Sequence, residues 1–353
     1  MPGKKREKSE NNKSILAKNN PCTKAEDNDS FNVAVIATMS SGKSTTLNAM
    51  LGVPLLPSKN EACTSTVFKI EDVDGLIGYK ARLIKKNGIT TDWEEILLEK
   101  HELAQWNNSE INYIELQGDF PNIWNYDKKM RFFDTPGPNN STDKKHSEIT
   151  EAILQRSSYA FLMCVMNASQ FGVEGETKLL LEIQKKVESD NMQSKILFLL
   201  NRVNDLDLER ECLGDLLREV NAYLKDLGFK SPIIIPLNSL LSLNIRRIIN
   251  SVKHQYPIPF SVRKQKRIIR ELEYVEEFKH IYKCALTQFT HYDDSSLDRM
   301  ITQSTEHEAP SHIVLGDSGS RREFSIKQLK RIDLLTGIPV IETELNATLE
   351  LNL

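Results

Sequence analysis

The run Ala37-Thr38-Met39-Ser40-Ser41-Gly42-Lys43-Ser44 fits the pattern A/G-x-x-x-x-G-K-S/T, which carries the chemistry of triphosphate binding. Successive backbone N–H groups must turn inward on a β-phosphate, and glycine at position 42 lets the backbone approach closely. The Lys43 ammonium reaches the β- and γ-oxygens, and the Ser44 hydroxyl is a ligand for Mg2+. A helix beginning near Lys43 adds the positive end of its dipole. Met39, Ser41, Gly42, Lys43, Ser44 and Thr45 are therefore the predicted phosphate cradle, with Ala37 a permitted variant of the first position.

Two further segments supply the rest of a nucleotide site. MRFFD ends in Asp134-Thr135-Pro136-Gly137. A carboxylate at a strand end can hold Mg2+ through water, and the Gly137 N–H can sense a γ-phosphate. Between the two motifs, VPLLPSKNEACTST must offer a threonine that closes over metal and γ-phosphate. Thr64 is the first choice and Thr66 the second, the latter also reading as an ordinary strand-entry threonine. The predicted metal ligands are Ser44, Thr64 and Asp134. For in-line attack by water, Lys43, the metal and the loop amides stabilise the charge spread over the γ-oxygens, while Thr64 and Gly137 position water and phosphate.

The base would be read by Asn201-Arg202-Val203-Asn204-Asp205-Leu206-Asp207, delivered by KILFLL. A guanine-reading loop is N/T-K-x-D, in which a basic stem covers one face of the base and a carboxylate accepts from two guanine N–H donors. Arg202 supplies the stem. The fourth position is Asn204, an amide, with Asp205 one residue later. Either Asn204 relaxes the guanine preference by roughly 1–3 kcal/mol, or Asp205 reaches the base through a local bulge. Asn238 and Ser239, which end the Ile233–Ser239 segment, are further candidates for the base edge.

These loops require strands that end together. Apolar, β-branched runs predict strands at Phe31–Ala37, Thr66–Ile70, Ile77–Ile84, Ile111–Gln117, Met130–Phe133, Tyr159–Met166, Lys195–Leu200 and Pro232–Pro236. Asn87-Gly88 signals a hairpin turn. Helical patterns lie between them at Trp93–Trp106, Ser147–Arg156, Glu174–Glu188, Leu208–Leu227 and Leu241–Val252. This alternation predicts an α/β, three-layer P-loop NTPase fold with a mostly parallel central sheet. After Val262 the alternation stops. One long helical pattern (RKQKRIIRELEYVEEFKHIYKCALTQF), a polar loop around Thr305–Ser320, and helices at Ser325–Leu335 and Pro339–Leu353 follow.

Composition narrows the class. The 353 residues carry 46 Lys+Arg against 49 Asp+Glu, a formal net charge of -3, which removes overall basicity as an argument for nucleic-acid binding. No apolar run approaches the ~18–20 residues of a membrane span, and the basic start has no apolar stretch behind it, so a cytoplasmic protein is expected. Cys22, Cys63, Cys164, Cys212 and Cys284 are scattered without C-x-x-C pairs, which fits neither a disulfide framework nor a zinc site. Gly316–Ser320 (GDSGS) has the letters of a serine-protease nucleophile segment but not its context, and reads as a polar loop. The basic run Arg263–Arg270 opens a helix that turns acidic at Glu271, and reads as a solvated helix start.

FNVAVIATMSSGKSTTLNAMLG, LLP, CTSTV, the DTPGPN run at Asp134–Asn139 and NRVNDLD together resemble the GTPase head of the dynamin superfamily, in its bacterial dynamin-like branch. Within that branch the chain is similar to the clamp-binding, nucleoid-associated group. The 91 residues from Lys43 to Asp134 suit the enlarged dynamin head. The resemblance covers Phe31–Leu353 and is strongest over Phe31–Ser239. It implies hydrolysis of GTP with Mg2+, activated by transient head-to-head dimerisation through the GTPase face. It also implies a catalytic serine in the phosphate loop, matched by Ser40, that helps bind a charge-compensating K+ or Na+. Met39 stands where eukaryotic dynamins have glutamine, and Asp207 matches the second aspartate of the extended base motif. The division this implies is a disordered tail (1–30), a dynamin-type GTPase domain (31–258), and a helical C-terminal portion packing on the head (259–353). The stalk of the family is absent or truncated, or comes from a separate chain, and direct membrane or nucleic-acid binding is not supported. The alternative function is a slow or non-hydrolysing, purine-nucleotide-dependent scaffold for a replication, nucleoid or other protein partner.

Overall fold

The computed structural model describes residues 30–37, 40–57, 67–96, 110–125, 128–134, 161–190, 196–288, 290–303 and 312–351. Met39, Thr64, Thr66, Gly137, the 1–29 tail and the helix predicted at 147–156 lie outside these residues. The strands are β1 (Ser30–Ala37), β2 (Val67–Asp72), β3 (Tyr79–Lys85), β4 (Glu94–Ile96), β5 (Ile111–Gly118), β6 (Lys129–Asp134), β7 (Phe161–Asn167), β8 (Ile196–Asn201) and β9 (Ile233–Leu237). They form one nine-stranded sheet in the order β4-β3-β5-β2-β6-β1-β7-β8-β9.

The half of the sheet from β6 to β9 is parallel throughout. Its central strands are buried on both faces, which is why β7 (FLMCVMN) and β8 (ILFLLN) read as continuous apolar runs. The other half is mixed: β2 is antiparallel to β6 but parallel to β5, and β3 runs antiparallel to β5. There the strands alternate instead. Lys69, Glu71, Arg82, Glu115, Gln117 and Arg131 share one polar face, joined by Lys69–Glu115, Arg82–Glu115 and Arg131–Glu71 ion pairs. The Asn87-Gly88 turn forms as predicted, with Lys85 N–H donating to Ile89 O at 2.8 Å.

Helices α1 (Lys43–Leu51), α2 (Glu174–Asp190), α3 (Leu213–Asp226) and α4 (Ser239–Lys253) connect and flank the strands. The C-terminal part adds α5 (Val262–Glu277), α6 (Lys279–Gln288), α7 (Asp294–Gln303), a hairpin of β10 (His312–Leu315) and β11 (Arg322–Ser325), α8 (Ile326–Leu335) and α9 (Ile338–Leu351). A single hydrophobic cluster runs from Phe31 to Leu349, so β-sheet and C-terminal helices share one core. Gly337, with φ 83°, sits so close to β9 that a Cβ there would meet the Pro236 carbonyl at 2.2 Å. No helix among the described residues is long and apolar enough to cross a membrane.

Four expectations are corrected. Trp93 does not open a helix. Residues 94–96 form edge strand β4 on β3, with Ile96 opposite Tyr79, and the Arg82 guanidinium lies 4.4 Å from the Trp93 ring. The pattern from 208 becomes helical only at Leu213, because Leu208–Arg210 forms a turn anchored by Leu208 N–H donating to the Tyr274 hydroxyl at 3.0 Å. The long helix after Val262 breaks at Phe278, whose N–H closes α5 on Tyr274 O while its ring packs 4.7 Å from that of Tyr274. The polar loop at 305–320 contains β10, whose alternating Ile313 and Leu315 enter the core.

Candidate functional site

The parallel strands bring the motif-bearing loops to one edge. Val35 of β1 lies opposite Asp134 of β6, and Asn201 of β8 lies opposite Leu237 of β9. The phosphate loop, the Asp134 segment and the base loop therefore share the C-terminal edge of the sheet, where ligands of such sheets bind.

α1 starts at Lys43 behind Gly42, which has φ 91° and places no side-chain cap on the first turn. The helix N-terminus thus presents its backbone donors to an anion. α1 stops at Gly52 in the left-handed conformation, with its N–H returning to Ala49 O at 3.1 Å. Asn48 in α1 grips the following loop from both sides, donating to Leu56 O at 2.8 Å and accepting from Leu56 N–H at 2.7 Å.

Lys43 Nζ donates to Asp134 Oδ1, and Ser44 Oγ donates to Asp134 Oδ2 at 3.2 Å. The side chains are 11% and 2% exposed for Lys43 and Asp134, so the ion pair is nearly dry. Burial pulls the Lys43 ammonium down, to about 7. The ammonium, the hydroxyl and the carboxylate predicted for phosphate and metal are brought into direct contact. Hard oxygen donors of this kind suit Mg2+.

The first residue of the predicted base loop makes contacts that the sequence did not reveal. Asn201 is 3% exposed. Its Nδ2 donates to Ser41 O at 2.8 Å, and its Oδ1 accepts from Ser239 Oγ at 3.0 Å and Ser239 N–H at 3.3 Å. Ser239 Oγ in turn lies 2.9 Å from Thr46 Oγ1, which donates to Gly42 O at 3.1 Å. Phosphate loop, base loop and the start of α4 are thereby tied into one polar network. Thr46 was not among the predicted site residues. It falls two positions past the motif, and only the fold brings it to Ser239.

Arg202, Asn204, Asp205 and Asp207 stay near the surface. Val203–Asp205 is a short 3-10 turn, with Asn204 Nδ2 donating to Asp205 Oδ1 at 3.3 Å and Arg202 3.8 Å from Asp205. Among the described residues only three non-glycine residues have positive φ, and two of them, Ser40 (64°) and Arg202 (69°), belong to this site. Such strain collects where the surroundings over-determine a conformation. Asn238 is buried as the N-cap of α4, accepting from Leu241 N–H at 3.1 Å, and its Nδ2 has no partner among the described residues. Thr45 lies on the first turn of α1, half-buried.

Gly42 is fixed by two independent constraints. Its φ of 91° disfavours any side chain, and an added Cβ would come within 2.2 Å of Asn201 Nδ2. Gly42→Ala is expected to cost roughly 1–2 kcal/mol from the backbone alone and to break the Asn201–Ser41 link. Urea unfolding and nucleotide titration together should record lower stability and loss of triphosphate affinity.

A family model described as the dynamin family matches residues 33–203. Two solved chains described as an oligomerised bacterial dynamin pair, in work on long-range sensing and tethering of membranes, are 16% and 17% identical over 84% and 85% of this chain, with TM-scores of 0.48 and 0.45. This chain spans 46% of the length of each. No curated protein sequence matches it. The phosphate loop, the Asp134 strand and Asn201 lie inside the matched segment, so residues 33–203 of this chain are similar to the dynamin family.

Proposed function

We propose that this chain binds and hydrolyses GTP with Mg2+, and that pairing of two heads across the nucleotide face activates it. The observation that carries the reading is the convergence of Lys43 and Ser44 on Asp134 at the N-terminus of α1. A triphosphate entering this site replaces the Asp134 carboxylate as the partner of the Lys43 ammonium, and the buried ammonium then faces the β- and γ-oxygens. Ser44 and Asp134, with Thr64, would hold Mg2+, which supplies charge neutralisation on the phosphate oxygens. The backbone amides around Gly42 cradle the β-phosphate, and Ser40, in its strained conformation, stands where a K+ or Na+ would offset developing charge. Thr64 and the Gly137 amide position the attacking water. Arg202 covers the base, while Asn204, Asp205 and Asp207 set its identity. Because Asn201 is linked to both Ser41 and Ser239, the fit of the base is transmitted to the phosphate loop.

A second reading is favoured by one observation, the Asn204 amide at the position that reads the base. In it the chain loads a purine triphosphate, turns it over slowly or not at all, and grips a replication, nucleoid or other protein partner, or a stalk-bearing chain, in the loaded state. Both readings place the protein in the cytoplasm. Measuring affinity and turnover for GTP, ATP and XTP, in K+ against Na+, separates them. Hydrolysis selective for GTP and stimulated by one cation supports the GTPase, whereas tight binding without phosphate release supports the scaffold.

Asn204→Asp tests the base assignment. A carboxylate there gains charge-assisted hydrogen bonds to guanine worth about 1.5–3 kcal/mol, at least about tenfold in the GTP-to-ATP affinity ratio. Competition against a fluorescent triphosphate reads the ratio. An unchanged ratio would assign base reading to Asp205.

A further inference from the structure

The antiparallel entry of β2 separates its two ends functionally. Phe68 lies beside Asp134, at the nucleotide edge, whereas Asp72 falls toward the opposite edge of the sheet. There Asp72 meets Asp74, from the turn after β2, and Asp119, just past β5. One carboxylate oxygen from each lies within 4.8 Å of the other two. Two oxygens bound to one Ca2+ at 2.3–2.6 Å are at most about 5 Å apart, so this spacing fits three ligands of a single ion.

The cluster is not a solvated acidic surface. Asp72 is 1% exposed, and while its Oδ1 accepts from Phe120 N–H at 2.9 Å, its Oδ2 is buried with no hydrogen-bond partner among the described residues. An orphaned buried carboxylate oxygen beside two further carboxylates is costly unless something positive reaches it. No described lysine, arginine or histidine forms an ion pair with Asp72, Asp74 or Asp119. The surrounding framework is built: Asn125 Nδ2 donates to Asp74 Oδ1 at 2.9 Å and to Asp72 O at 3.2 Å, and Asn125 Oδ1 accepts from Met130 N–H at 2.8 Å. The adjoining residues reach α9, where Asn122 Nδ2 donates to Glu342 Oε2 at 3.0 Å and Trp124 N–H donates to Asn346 Oδ1 at 3.2 Å.

We propose that Asp72, Asp74 and Asp119 form a binding site for a hard divalent cation of the calcium class, distinct from the metal that accompanies a nucleotide. All three donors are oxygens, they come from the end of β2 and the loops after β2 and β5 in an irregular arrangement, and two of them open to water that completes the shell. Ca2+ accepts such irregular, partly hydrated oxygen coordination, whereas Mg2+ requires near-octahedral geometry. Ion binding fixes the loops after β2 and β5 and, through residues 122–125, stiffens the seat of α9.

The test uses the full chain without nucleotide, with Tb3+ as a luminescent probe sensitised by tyrosine and tryptophan, and Ca2+ as competitor. The expected result is a saturable Tb3+ signal that Ca2+ displaces, and a melting temperature that rises with Ca2+. Both effects are lost in Asp74→Asn/Asp119→Asn and retained in Ser44→Asn, which damages only the nucleotide's metal site. Asp74 is exposed, so Asp74→Asn alone reads the same loss if the double variant does not fold. A signal that survives the Asp74 replacement, one that disappears in Ser44→Asn, or no Ca2+-dependent change at all would overturn the proposal. The last of these would mean that a proton satisfies the Asp72 carboxyl.

Discussion

Lys43→Ala is expected to lower GTP turnover about a hundredfold or more, the scale reached when one preorganised donor to a developing oxyanion is removed. Lys43→Arg should be nearly as damaging. A guanidinium keeps the charge but is planar and broad, and the slot it would enter beside Asp134 is almost closed to solvent. The comparison separates charge from fit, because the arginine variant still offers Asp134 a counter-ion whereas the alanine variant leaves that carboxylate buried without its main partner. Phosphate release measured with saturating GTP and Mg2+, beside a melting curve for each variant, checks this. Lost turnover with a retained fold in Lys43→Arg is the expected pattern, and wild-type turnover in either variant would remove Lys43 from the mechanism.

The largest expected effect on stability lies far from the nucleotide. Arg246 in α4 is 7% exposed and carries several partners at once. Its Nε donates to Asp333 Oδ2 at 2.9 Å, its Nη2 to Glu342 Oε2 at 2.9 Å, and its Nη1 to the carbonyls of Ala49 and Met50 at 3.2 and 3.4 Å. One guanidinium thus joins α4, α8 and α9 to the C-terminal end of α1, where a cation also favours the helix dipole. Burial disfavours the charge, but Asp333 and Glu342 more than offset it and hold Arg246 firmly protonated. Arg246→Ala leaves two buried carboxylates unpaired and is expected to cost about 3–5 kcal/mol, a large part of the 5–15 kcal/mol typical of a domain. Arg246→Met combined with Asp333→Asn and Glu342→Gln should recover much of it, since no buried charge is then left alone. Urea unfolding at neutral pH reads both. Equal losses in the single and triple variants would contradict the electrostatic account.

What could be read from the sequence followed from how tightly the chemistry constrains each segment. The phosphate loop and Asp134 were legible because cradling a triphosphate admits few residue types at fixed spacing, and the flanking runs FNVAVIA and MRFFD are apolar enough to specify buried strands. The parallel half of the sheet was legible for the same reason. The mixed half was less so. Strand β4 exists because β3 needs a partner and Trp93 can cover Arg82, while Trp93, Ile96 and Leu97 carry a helical spacing on paper. Nothing between Val262 and Phe289 signals the break at Phe278, where neither proline nor glycine appears and tertiary packing of Tyr274 and Phe278 decides. Asn201 was recognised as part of the base loop, but its hydrogen bond to Ser41 joins residues 160 positions apart and has no local signature. The Arg246 network is illegible for the same reason, since an arginine in an amphipathic helix reads as solvent-facing until α8 and α9 fold over it.

The most direct test of the central claim is the rate of phosphate release from GTP per chain, measured with Mg2+ and K+ over a series of protein concentrations. The account predicts measurable hydrolysis whose rate per chain rises with concentration, as two heads pair across the nucleotide and complete the site. GTP bound tightly and recovered intact at every concentration would contradict it.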